Sequence, residues 1–179
     1  MNPFPANPFT RIVCLRRSLL GIALAFAPGA LAQIKVGDPF PALQSVGFNG
    51  TLPDAQGKVI LVDFWASWCA PCKASFPAYG RIHSDFAARG LLIVAVSVDK
   101  SPADYAAFVG RMAPPFFTAL DPGQNLVREV RVPTMPTSFL VGRDGRVRYI
   151  HEGFHSGTTE NELREEIEKL LAEKTGRQP

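Results

Sequence analysis

Val59-Ile60-Leu61-Val62-Asp63-Phe64-Trp65 is an almost continuous apolar run of seven residues. A strand of that composition has to be covered on both faces, which places it at the centre of a sheet packed between layers. Only Ala66-Ser67-Trp68 separates it from Cys69-Ala70-Pro71-Cys72. A second such run, Leu91 to Val98, lies beyond a stretch of helical pattern from about Pro71 to Arg89. Strand, helix and strand at that spacing, with the hairpin and last helix described next, predict a mixed α/β sheet covered on both faces. Pro71 suits the first turn of its helix, whereas Pro77 sits inside the pattern and predicts a kink.

The rest of the chain extends this scheme. Ser101-Pro102-Ala103-Asp104 reads as a helix start, with Tyr105, Phe108, Val109 and Met112 forming its apolar face. Phe116 to Leu120 reads as a short strand, Asp121-Pro122-Gly123 as a turn and Gln124 to Val130 as a short helix. Thr137 to Val141 and Arg146 to His151 are expected strands joined at Arg143-Asp144-Gly145. Thr159 and Glu162 have capping-box spacing before a last helix with Leu163, Ile167, Leu170 and Leu171 on one face. Ile34 to Lys58, rich in Gly, Pro and Asp, reads as short strands and turns.

The chain begins differently. Arg11, Arg16 and Arg17 precede the apolar run Leu19 to Ala27, and Ala30-Leu31-Ala32 follows a Pro-Gly break. Basic, apolar and small-residue regions in that order predict a secretory signal peptide over residues 1–32, cleaved before Gln33. The apolar run is shorter than the roughly 20 residues of a membrane-spanning helix, so a retained anchor is the weaker alternative. Arg16-Arg17 leaves twin-arginine and general export both open. Cleavage leaves one domain over residues 33–179, and the formal charge of +3 disappears with the three arginines. A near-neutral domain gives no reason to expect nucleic acid as a partner. Cys14 goes too, so Cys69 and Cys72 become the whole of the sulfur chemistry.

Three uses of that pair compete. Zinc needs four ligands, and neither further cysteines nor His83, His151 or His155 supply them in a ligand pattern. Both His151 and His155 read as surface residues. A purely structural disulfide gains little from so short a loop. Redox exchange fits best, because Cys69 falls at a helix N-terminus. Unpaired N–H groups and the helix dipole there favour a thiolate, the nucleophile of disulfide exchange. Cys72, one turn on, is placed to resolve a mixed disulfide. Asp63 stands among apolar neighbours, where burial raises a carboxyl pKa and lets the group accept and return the Cys72 proton. A water-facing carboxylate at a strand end is the alternative.

The segment Asp63 to Lys73, with Val62 before it and Pro77 after it, resembles the thioredoxin active-site segment. Met135-Pro136-Thr137-Ser138-Phe139-Leu140-Val141, then Asp144-Gly145, is similar to the segment carrying the thioredoxin cis-proline. Gly37-Asp38-Pro39-Phe40-Pro41 and the helix and strand between Val98 and Leu120 resemble exported thioredoxin-like proteins related to TlpA and ResA. The resemblance implies a thioredoxin fold: a mixed central β-sheet flanked by helices, with an N-terminal β extension and a central helix–strand insert. It implies a cis bond at Pro136 and a substrate groove formed by Trp68, Met135 and Pro136. Trp65 is expected in the core.

The function so implied is an exported, periplasmic thiol–disulfide oxidoreductase with no organic cofactor and no metal. It would reduce disulfide-bearing client proteins, such as those of cytochrome c maturation or copper-site assembly, and draw electrons from a membrane thiol-reductant donor. The same residues would serve an oxidant that makes disulfides. A Cu(I) metallochaperone using both thiolates is a rival of another class. A peroxidase is less well matched, since Ala66 stands where the related peroxidases carry threonine.

Overall fold

The structure is a computed structural model and describes residues 33–48 and 50–173. The expected signal peptide, residues 1–32, lies outside the described residues. Among the described residues five strands form one sheet, in the order β3-β2-β1-β4-β5. They are β1 (Val59–Trp65), β2 (Leu91–Ser97), β3 (Phe117–Leu120), β4 (Thr137–Val141) and β5 (Val147–Glu152). Strands β1, β2 and β3 run parallel, while β4 is antiparallel to both β1 and β5. The apolar runs account for this order. All seven residues of β2 are buried and only Ile60 of β1 is partly exposed, as central strands require.

Among the described residues four α-helices connect and cover the sheet: α1 (Ala70–Phe86), α2 (Pro102–Met112), α3 (Asn125–Val130) and α4 (Thr158–Ala172). Helix α1 runs on through Pro77 and ends in a single 3-10 turn, Ala87–Arg89. Gly90 closes that turn at φ 106°, a left-handed conformation that glycine adopts without steric cost. Ser101 caps α2 by accepting the Asp104 N–H at 3.2 Å, with Pro102 in its first turn. Asp121 does more than turn the chain. Its carboxylate accepts the N–H groups of Asn125, Leu126 and Val127, supplying an anion at the start of α3.

Alternate residues of β1 build two aromatic layers. Trp65 is fully buried against Phe76 of α1 and Tyr105 and Phe108 of α2. On the other face Phe64 meets Phe139 of β4, which in turn meets Phe40 of the N-terminal segment.

Two local expectations are corrected. The N-terminal β extension shrinks, among the described residues, to one bridge between Pro39 and Arg146, with a 3-10 turn over Leu43–Ser45. Pro39, Pro41 and Pro53 lack the N–H that a continuing ladder needs. The segment still docks, through Gly37 N–H to Val147 O and Phe40 N–H to Gly145 O. Thr159 is not the N-cap of α4, which starts at Thr158 after Gly157. Its hydroxyl accepts the His155 N–H at 3.0 Å, fastening the preceding turn instead.

Candidate active site

At the end of β1 the chain must turn sharply to start α1. Cys69 N–H donates to Ala66 O at 3.1 Å, and Val98 N–H to Trp65 O at 2.9 Å. Asp99, almost fully buried, holds this turn from the neighbouring connection. It accepts the Ser67 N–H at 3.0 Å, the Ser67 hydroxyl at 2.9 Å and the Ser97 hydroxyl at 2.7 Å. Trp68 is thereby left pointing outward, 70 % exposed, beside a shallow hollow lined by Val98, Lys100, Asp104 and Gln124.

Cys69 is the N-cap of α1 and is disulfide-bonded to Cys72, with the two Cα atoms 5.3 Å apart. Its sulfur accepts the Cys72 N–H at 3.2 Å, so one helix-end donor is directed at this atom. Cys69 retains slight exposure, whereas Cys72 has none. Cys69 is thus the more accessible residue of the pair. Below them Ser75, also fully buried, donates its hydroxyl to Cys72 O at 2.8 Å.

Asp63 is wholly buried, which removes the water-facing alternative. Burial pushes its carboxyl from an ordinary 3.8 up to about 7, and hydrogen bonds from Ser138 and Tyr79 hold it back from rising further. Ser138 Oγ donates to Asp63 Oδ1 at 2.8 Å and Tyr79 Oη donates to the same oxygen at 3.0 Å. The two hydroxyls are themselves 2.9 Å apart. Asp63 Oδ2 has no hydrogen-bond partner among the described residues. Tyr79 is held well above the ordinary phenol value, first by burial and then by the Asp63 charge, so it remains a donor at neutral pH.

The Met135–Pro136 bond is cis. Thr137 pairs with Phe64 and Ser138 with Asp63 in the antiparallel ladder. Carried one step further, that register sets Pro136 level with Trp65, the last residue of β1, at the end of the strands where the turn to Cys69 begins. Met135 packs partly against the core. Trp65 takes the core position expected of it.

Tyr79, Ser138 and Asp99 were missed in the sequence reading. Tyr79 lies two helical turns beyond Cys72, which was the available sign that both share a face. Ser138 needed the β1–β4 register, and Asp99 needed the packing of two connections. His151, read as a surface residue, is a correction. Its side chain is only 13 % exposed, held between Glu166 at 2.7 Å and Glu162 at 3.7 Å. It joins β5 to α4. His155 is exposed as expected. A hollow lined by Phe40, Leu43, Ile60, Val62 and Arg143 contains none of the expected site residues.

A family model described as Redoxin matches residues 35–167. The thiol-disulfide oxidoreductase ResA of Bacillus thuringiensis is 32 % identical over 96 residues, covering 54 % of this chain and 56 % of that protein. The chain thus spans about half the length of the curated relatives it matches. A Chlorobium tepidum structure assigned as the thiol:disulfide interchange protein DsbE is 33 % identical, with a TM-score of 0.69. That match covers 78 % of this chain and 100 % of that one. StoA of Bacillus subtilis is 25 % identical with a TM-score of 0.55, covering 63 % of this chain and 84 % of that one.

Proposed function

The chain belongs to the redoxin family, and from that membership we propose that it is an exported thiol–disulfide oxidoreductase that reduces disulfides in client proteins. One observation carries the reading: the Cys69–Cys72 disulfide sits at the N-terminus of α1, on the same helix as Tyr79, which donates to the buried Asp63. A structural staple would not require a carboxyl poised near neutrality in the adjoining strand.

In the reduced protein Cys69 is the nucleophile. Its thiolate attacks one sulfur of a client disulfide, and the other client sulfur leaves as a thiolate that takes a proton from solvent. Cys72 then gives its proton to Asp63 and attacks Cys69 Sγ, breaking the mixed disulfide. The second client sulfur departs with two electrons' worth of reduction completed, and the protein is left as the Cys69–Cys72 disulfide. Asp63 returns its proton when a membrane thiol donor reduces that disulfide. Trp68, Met135 and Pro136 form the surface for the client chain. Pro136 lacks an N–H, and the neighbouring backbone is left to pair with an extended segment. The resemblance to the TlpA and ResA group supports clients of cytochrome c maturation or copper-site assembly, and the leader over residues 1–32 supports a periplasmic location. No bound cofactor and no nucleic acid enter the reaction.

Direction is tested by equilibrating the protein with a glutathione redox buffer. Potentials of proteins with such dithiols run from about −270 to about −120 mV, and a reductase is expected near the lower end. A midpoint near the upper end makes this protein a disulfide-forming oxidant. A Cys72→Ala variant is expected to retain its clients as mixed disulfides on Cys69. Failure to trap any would count against exchange itself.

A further inference from the structure

The buried cluster Asp63, Tyr79 and Ser138 contains more hydrogen-bond chemistry than a carboxyl alone requires. Three oxygens lie within 2.8, 2.9 and 3.0 Å of one another, all fully buried or nearly so. They belong to three elements, β1, α1 and β4. Two hydroxyls bring two hydrogens to three contacts. With Asp63 ionised, both point at Oδ1. With Asp63 protonated, Oδ1 is the weaker acceptor, and one hydroxyl can turn to the other across 2.9 Å. Both charge states are then satisfied, and the change between them needs only the rotation of a hydroxyl hydrogen.

We propose that Tyr79 and Ser138 are positioning residues for proton transfer: they hold Asp63 Oδ1 and leave Oδ2 as the oxygen that receives the Cys72 proton. The assignment rests on the exchange reaction above and adds two residues to it. Oδ2 is the unpartnered oxygen of the pair. Among the described residues no charged group acts on the carboxyl beside burial and the two hydroxyls. On β2 its neighbour is Ala95, and on β4 it is Ser138. Helix α1 supplies Tyr79 and Cys72 as its titratable buried groups, and α4 buries Thr159, Leu163, Ile167 and Leu170, none of which titrates. The setting of this carboxyl is thus determined by burial and two hydroxyls. Burial raises its proton affinity, and the hydroxyls lower it by binding the charged form.

The proposal fixes the sign of a measurement. Removing either hydroxyl weakens the ionised form more than the protonated one. In Tyr79→Phe, and separately in Ser138→Ala, the pH midpoint of Asp63 should rise by about one to two units, the worth of one hydrogen bond to a charged group. The midpoint is read by infrared titration of the oxidised protein, following the protonated carboxyl band that Asp63→Asn abolishes. In the reduced proteins the same variants should resolve mixed disulfides more slowly at pH 7 and recover at higher pH. A purely structural role would lower thermal stability and leave the midpoint in place. An unchanged midpoint in both folded variants overturns the proposal. If wild-type protein exchanges no disulfide with insulin at any pH while the midpoint still rises, the function reading fails and the proton-transfer role is overturned with it, whereas exchange in wild type with an unmoved midpoint overturns the positioning assignment alone.

Discussion

Asp63 and Ser138 face one another across β1 and β4, with the serine hydroxyl donating to a carboxylate that has no contact with water. This pairing places an energetic cost at the centre of the sheet. The Asp63 carboxyl titrates near 7 in the folded chain and near 3.8 when unfolded. Below 3.8 both states are protonated and burial of the neutral acid carries no ionic penalty. As pH rises towards 7 the unfolded chain releases a proton that the folded one keeps, so stability falls. A difference of this size corresponds to about 4 kcal/mol once pH exceeds 7. Asp63→Asn is therefore expected to stabilise the oxidised protein by about 2–4 kcal/mol at pH 8 and by little near pH 4. Urea denaturation at the two pH values checks this. A gain of equal size at both would disprove the burial argument. The same variant should be slow in exchange, which makes stability and activity move in opposite directions.

Asp99 offers the converse case, a buried carboxylate whose bonds fix the geometry of a turn. Asp99→Ala strands the Ser67 N–H and the hydroxyls of Ser67 and Ser97. Loss of about 3 kcal/mol is expected, since hydrogen bonds to a charged group contribute about 1.5–3 kcal/mol and some strandings will be relieved by water. Asp99→Asn keeps one acceptor and should lose about half as much. Denaturation midpoints of the two variants, read beside their insulin-reduction rates, separate turn geometry from redox chemistry. Equal stability of Asp99→Ala and wild type would show that the turn holds without this anchor.

These two acids also mark what the sequence made legible. Asp63 stood out because it interrupts an apolar strand. The central strands were readable for the same reason: a continuous apolar run has few alternatives to a buried strand. Cys69 at a helix start followed from a strand and a helix pattern meeting there. Asp99, Tyr79 and Ser138 were not readable, because each acts on a residue 16 to 75 positions away, across contacts that only the fold creates. The N-terminal strands failed because apolar pairs between prolines dock by packing and single bridges rather than by ladders. Thr159 failed because a hydroxyl near a helix start can serve the preceding turn as readily as the helix.

Trp65 tests the aromatic layer under the site. It is fully buried, with ring centroids 4.9 Å from Phe76 and 4.5 Å from Phe108. Trp65→Ala is expected to cost about 3–5 kcal/mol, and Trp65→Phe less, since the ring partners keep an aromatic neighbour. The indole N–H is buried without a partner among the described residues, so the phenylalanine variant gives up no hydrogen bond. A cost below about 1 kcal/mol for the alanine variant would mean that the layer closes over the gap.

Trp68, three residues on, should behave in the opposite way. Its side chain is 70 % exposed, so it contributes little to the folded core. Trp68→Ala is expected to leave stability within about 0.5 kcal/mol of wild type. Its effect should appear only where a client has an extended surface to lay against the site. Reduction of oxidised glutathione, which reaches Cys69 without needing that surface, should change less than twofold, whereas reduction of insulin should fall several-fold through a higher KM. The contrast between the two substrates is what matters. An equal loss with both would mean that Trp68 acts on Cys69 itself, by shielding or by fixing the turn that Ser67 and Asp99 hold. An equal retention with both would remove it from the client surface.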